Sequence, residues 1–184
     1  AYRAHKAGKR VLVIDRRNHT GGNCYCEDQD NIFVHKYGAH IFHTSNKEVW
    51  DFVNQFVEFK PFVHSPLANY KGEIYQLTWE SHKAYKYSPS GELLTTITYQ
   101  GEGWGISSDG ENLFLSDGSA TIRNIDPETF RTLRSICVSY NGRPLSLINE
   151  LECVGNRIWA NVYTTDSIVE IDPTTGAVVG FVNL

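Results

Sequence analysis

Two grammars of apolar and polar positions divide the chain near Gly72. Ahead of it, Val11-Leu12-Val13-Ile14 is a short continuous apolar run closed by Asp15, the pattern of a strand buried on both faces of a parallel sheet. Residues 1–7 read as the last turns of a preceding helix, with Gly8 at its C-terminal cap. Between Asn46 and Phe56 the apolar residues Val49, Trp50, Phe52, Val53 and Phe56 fall at helical spacing behind a Ser-Asn start, which predicts a helix. Together these predict a β-loop-β-α fragment of an α/β domain.

From Gly72 onward the spacing shortens to strands and tight turns, and it repeats. Apolar stretches begin at Ile74, Leu113 and Ile158, and each is followed 14 or 15 residues later by a turn proline, Pro89, Pro127 or Pro173. These prolines lie 38 and 46 residues apart, close to the roughly 40 to 50 residues of one propeller blade. β-Branched and aromatic residues dominate the stretches, and the breaks fall at Asp-Gly, Asp-Pro and Ser-Gly steps. Asp126-Pro127-Glu128-Thr129 and Asp172-Pro173-Thr174-Thr175-Gly176 are predicted hairpin turns, because proline presets φ and the aspartate can accept from backbone ahead of it. A single such unit cannot bury its own faces, so the units must stack around an axis. The expected fold class is mixed: a partial β-propeller of two to three blades preceded by an incomplete α/β (Rossmann-like) fragment.

Composition changes this picture little. A formal net charge of −4 gives no electrostatic reason to expect nucleic acid or an anionic membrane as partner, and no apolar run approaches the roughly 20 residues that span a bilayer. The sequence opens at Ala1 inside what reads as a helix, so its true start is expected further upstream. Cys24, Cys26, Cys137 and Cys153 lack metal-finger spacing and are read as free thiols. His35, His40 and His43 are close in sequence, but no carboxylate or thiolate joins them at ligand spacing, so no metal is expected.

Specific motifs point further. VLVIDRRNHTGGNCY, then VHKYGAHIFHTSNKEVWDFVNQFVEF and SPLANYKGEIY, resemble UDP-galactopyranose mutase, the flavin enzyme that interconverts pyranose and furanose forms of UDP-galactose. The resemblance implies FAD as cofactor. It places Asp15 and Arg16 or Arg17 at the adenosine ribose, Gly21, Gly22 and Asn23 along the flavin, and His40 near the isoalloxazine ring. The first strand and the G-x-G-x-x-G turn of that family have no counterpart in the sequence, so no retained cofactor is expected.

IYQLTW, GEGWGISSDGENLFLSDGSATI, IDPETF, NGRPLSLINELE and WANVYTTDSIVEIDPTTG resemble the plant and bacterial glutaminyl-peptide cyclotransferases. These are five-bladed propellers that close an N-terminal glutamine to pyroglutamate with loss of ammonia. The resemblance implies a peptide with N-terminal glutamine as partner, with Trp79, Trp104, Asn149 and Tyr163 at the substrate. Tyr163 stands where that family commonly has tryptophan. The family's essential glutamate lies in an F-G-E-G-like stretch one strand before IYQLTW, where this chain carries mutase-like text, and its late lysine-bearing blade has no counterpart here. Glu102 matches by spelling only and is read as a loop residue, so the catalytic residue is left unassigned.

The expected organisation is therefore a mutase-like fragment over residues 1–73 and a cyclotransferase-like fragment over 74–184, joined at KGEIY, which satisfies both spellings. The expected function is that of a cyclotransferase without turnover. The alternatives are a mutase-like flavin enzyme fragment and a non-catalytic hybrid. The two resemblances point to different compartments, cytoplasmic for the first and periplasmic or secreted for the second. An open arc of blades is expected to leave sheet edges that favour self-association.

Overall fold

A computed structural model describes residues 1–37, 41–79 and 81–184. The chain divides into two compact units, Ala1–Phe62 and Val63–Leu184.

The second unit is built from three four-stranded antiparallel sheets, each a meander in sequence order. The first blade comprises β3 (Leu67–Tyr70), β4 (Glu73–Leu77), β5 (Lys83–Tyr87) and β6 (Leu93–Thr98). The second comprises β7 (Gly105–Ser108), β8 (Leu113–Ser116), β9 (Thr121–Ile125) and β10 (Thr132–Cys137). A short ribbon, β11 (Ser139–Tyr140) with β12 (Arg143–Pro144), leads to the third: β13 (Ile148–Val154), β14 (Arg157–Val162), β15 (Ser167–Ile171) and β16 (Val178–Asn183). The expectation of two to three blades is met by three.

Burial explains why the repeats differ in spelling. Strand β8 is buried along its whole length because its alternate residues feed two cores. Leu113 and Leu115 join Tyr75, Leu77, Ala84, Tyr99 and Ile106 in one cluster, whereas Phe114 joins Ile136, Ile148, Ile158 and Val169 in the other. The middle blade thus reads as a continuous apolar run, and the sheet-outermost β6 and β10 are largely exposed.

Turn chemistry sets the register. Lys71 and Gly72, both at positive φ, make the two-residue β3–β4 hairpin. Pro89, Pro127 and Pro173 each lie in the turn between the third and fourth strands of a blade, and therefore on equivalent corners, as the spacing predicts. Tyr75 on β4 donates its hydroxyl to the carbonyl of Pro127 at 2.9 Å, and Arg134 on β10 donates to the carbonyl of Pro173 at 2.6 Å. Neighbouring blades are thereby fastened at these corners.

The first unit is different in kind. Helix α1 (Tyr2–Lys6) and the positive φ of Gly8 follow the sequence expectation. Helix α2 (Lys47–Val53) begins as expected at Asn46, whose side chain accepts from the backbone N–H of Glu48 and Val49. The aromatic rings of Tyr2, Phe52 and Phe56 meet edge to face. Between the helices lies a hairpin, β1 (Cys26–Gln29) with β2 (Ile32–His35), turned by Asp30 and Asn31 at positive φ. The expected strand at Val11–Ile14 is not formed. Those residues are irregular, with Leu12 and Ile14 each 83% exposed, because among the described residues no strand pairs with them and β1 and β2 pair only with each other. No described residue of this unit is buried, so the apolar core of the described chain lies entirely in the second unit.

Candidate functional site

The loops at the corners opposite the proline turns carry Trp79, Trp104 and Tyr163, while Asn149 lies in strand β13. Trp79 follows β4 in a loop closed by the bond from Thr78 N–H to the carbonyl of Lys83 at 2.9 Å. The segment from Tyr99 to Trp104 links the first blade to the second. It is pinned by the Tyr99 hydroxyl on the carbonyl of Thr78 at 2.8 Å and by His82 Nδ1 against the carbonyl of Gly101 at 2.7 Å. This pinning puts Glu102 between the two indoles: its Oε2 accepts from Trp104 Nε1 at 2.7 Å and from Trp79 Nε1 at 2.9 Å. The Trp104 indole, then that of Trp79, holds the Glu102 carboxyl below the usual carboxylate range.

Trp104 is fixed from several sides. Its backbone N–H donates to the carbonyl of Ser116 at 3.0 Å, and Tyr163 meets its ring edge to face at 5.4 Å. Gly118, at φ +78°, lies against the indole so closely that a Cβ there would stand 2.7 Å from the ring. Backbone bonds from Leu147 N–H to Gly118 and from Tyr163 N–H to Leu147 tie the second and third blades together around it.

Asn149 sits where the β13–β14 register shifts between Ile148 and Leu151. Both of those residues face the core, so the two intervening residues, Asn149 and Glu150, lie together off the core face. The carbonyl of Asn149 accepts from the Ser116 hydroxyl at 2.5 Å, and the N–H of Glu150 donates to Asn161 Oδ1 at 3.0 Å. Glu150 in turn pairs with Nε2 of His64. Trp79 and Trp104 are thus gathered on one carboxylate, Tyr163 lies at the edge of Trp104, and the backbone of Asn149 is tied to that of Trp104 through Ser116. Sequence reasoning missed Glu102 as a member of this cluster, and also His82, His64 and Glu150. The Gly101-Glu102-Gly103 spelling directly before Trp104 was the available signal for Glu102.

The residues read as flavin-facing are arranged otherwise. Asp15 accepts from the backbone N–H of Arg17 at 2.8 Å, and the guanidinium of Arg17 spends itself on Asn23 Oδ1 at 2.8 Å and on the ring of Tyr37. Arg16 is exposed. Gly21 and Gly22 open a single 3-10 turn, Gly22–Cys24, and His19 stacks on Tyr25 with centroids 3.8 Å apart. His40 lies outside the described residues. With the polar groups paired to each other and the neighbouring apolar run exposed, the described ones among these residues do not form a cradle that fits FAD. A hollow of about 600 Å³ in this unit, bordered by Tyr2, His5, Lys9, Arg10 and Val13, contains none of them.

Cys24, Cys137 and Cys153 are free thiols, and burial pushes the Cys153 thiol up to about 11, which keeps it protonated. Among the described residues no group of histidine, cysteine, aspartate or glutamate side chains is placed to hold a metal ion, and no helix is long and apolar enough to cross a membrane.

Comparison with known proteins separates the two parts of the chain. Residues 1–56 match the family model of NAD(P)-binding Rossmann-like domains, and residues 55–184 match that of glutamine cyclotransferase. A probable UDP-galactopyranose mutase of Klebsiella pneumoniae is 44% identical over 77 residues, 41% of this chain and 20% of that protein. The glutaminyl-peptide cyclotransferase of Arabidopsis thaliana is 34% identical over 113 residues, 60% of this chain and 35% of that protein. The crystal structure of Myxococcus xanthus glutaminyl cyclase superposes with a TM-score of 0.62 at 36% identity, covering 64% of this chain and 51% of that one. The chain thus spans about a third of the curated cyclotransferase and about half of the solved one. It is a chimera in composition, a mutase-like, Rossmann-like fragment joined to a glutaminyl cyclase-like partial propeller. Since the match over residues 55–184 covers most of the chain and includes the buried core of the described residues, the chain belongs to the glutamine cyclotransferase family.

Proposed function

We propose that the second unit binds peptides with an N-terminal glutamine and cyclises them slowly. The substrate walls are Trp79, Trp104 and Tyr163, with Asn149 as a hydrogen-bonding partner, all within the cyclotransferase-like residues 74–184. The observation that carries this reading is the Glu102 carboxylate held by both indoles, with Tyr163 edge-on to Trp104. A small polar carboxamide and its own α-amine need flat apolar walls to hold them together and a fixed polar edge to orient them.

The same arrangement limits turnover. Departure of ammonia needs a proton donor, and a general acid works best when its pKa lies near the operating pH. Glu102 is displaced the other way, kept ionised by the indole of Trp104 and then by that of Trp79. It therefore serves as an anchor for the two walls. General acid-base catalysis typically contributes about 10² to 10⁴-fold, and Glu102 supplies none of it.

The test is ammonia release from an N-terminal glutaminyl peptide, with binding followed by indole fluorescence, for the parent chain, Trp104→Ala and Glu102→Gln. Binding by the parent, its loss in Trp104→Ala, and an equally slow release in Glu102→Gln are expected. Fast release by the parent that Glu102→Gln abolishes would make Glu102 the acid and refute the anchor assignment.

A further inference from the structure

We propose that His64, held in place by Glu150, is the proton-transfer group of this site. The inference rests on the reading that the site takes an N-terminal glutamine.

Four observations converge on it. His64 lies just ahead of β3, and its segment is fastened to the first blade by the bond from Leu77 N–H to the carbonyl of the buried Pro66 at 2.9 Å. Its imidazole Nε2 pairs with Oε1 of Glu150, 86 residues away on β13, so the contact is made by the fold and spans from the first blade to the third. The register shift at Asn149–Glu150 puts the glutamate on the same side of the sheet as the asparagine of the candidate site. Finally, Gly105, the residue after Trp104, is pressed against this point. A Cβ at Gly105 would stand 2.5 Å from the carbonyl oxygen of Asn149 and 2.8 Å from Cα of Glu150. The backbone that carries the carboxylate is therefore packed against the residue that follows Trp104, and bulges of this kind commonly re-aim side chains next to active sites.

The chemistry suits the pair. In cyclisation the α-amino nitrogen attacks the γ-carboxamide carbon, forming a carbon-nitrogen bond and a tetrahedral intermediate. The imidazole takes one proton from the attacking nitrogen and delivers it to the departing one. The old carbon-nitrogen bond then breaks and ammonia leaves, with no change of oxidation state and no co-reactant. Glu150 is a positioning residue: it orients the ring and stabilises the imidazolium formed in transit. The side chains of His64 and Glu150 are 57% and 42% exposed, open enough for protons and small bases to reach them.

The experiment measures peptide binding and ammonia release for the full chain, His64→Ala, Glu150→Asp and Glu150→Gln, with His64→Ala also assayed in added imidazole. Expected are unchanged binding in all variants, at least about a 10²-fold loss of turnover in His64→Ala, its partial recovery in imidazole, and a smaller loss in Glu150→Gln than in His64→Ala, with Glu150→Asp retaining more. Undiminished release by His64→Ala overturns the proposal. So does a loss of release that accompanies lost binding and resists imidazole, which would make the pair a structural tether between blades. If the parent binds peptide but releases no ammonia above buffer, the proton-transfer role falls while the binding site stands. If the parent binds no glutaminyl peptide at all, the functional reading falls with it.

Discussion

At Trp104 four constraints meet: a carboxylate on its indole nitrogen, a tyrosine at its edge, a backbone bond to Ser116, and a glycine where any side chain would collide. The last is the most sensitive handle. Gly118→Ala would add a methyl 2.7 Å from the ring at a backbone φ that L-residues adopt only with strain. Peptide affinity is expected to fall at least about tenfold, the equivalent of roughly 1.4 kcal/mol, while the sheets remain folded by circular dichroism. Unchanged affinity would mean that the indole position does not matter to the ligand. The sequence could nominate the tryptophans and Tyr163 because their motifs are long and contiguous. The role of Glu102 was not legible, since its place between two indoles depends on how Tyr99 and His82 pin the loop around it.

The hairpins were the most legible elements, and their turn aspartates supply a pH test. The hydroxyl and then the backbone N–H of Thr129 hold the Asp126 carboxyl below its usual range, and the backbone N–H of Thr174 does the same for Asp172. A carboxyl whose folded pKa is depressed contributes stability above its unfolded pKa and loses that contribution as pH falls through the folded one. Replacing both by alanine is therefore expected to lower the thermal midpoint at neutral pH, with the difference from the parent shrinking as the solution is acidified below the ordinary aspartate range. A difference that stays constant into acid would show that the side-chain bonds of these turns do not stabilise the fold. The misread element was Val11–Ile14. Its periodicity is that of a buried parallel strand, but a strand is defined by its neighbours, and the nearby hairpin Cys26–His35 satisfies itself. Local pattern could not reveal that. The bulge at Asn149–Glu150 was equally hidden, because nothing in INELE marks which two residues share a face.

At the scale of the molecule, stability is unevenly distributed. Two interlocked clusters between the blades hold the apolar core, whereas no described residue of the mutase-like unit is buried. Regions with few buried apolar contacts open first, so limited proteolysis is expected to cut within residues 1–62 and leave a resistant fragment that starts near Val63 and is recognisable by mass. Early cleavage inside residues 105–137 would contradict the placement of the core. Function is expected to follow the same division, with peptide recognition in the blades. Titration of the protein with an N-terminal glutaminyl peptide, read by tryptophan fluorescence and repeated on Trp104→Ala, tests that claim most directly. A saturable change in the parent that is absent in Trp104→Ala is the result expected. An identical response in both proteins, or none in the parent, would contradict it.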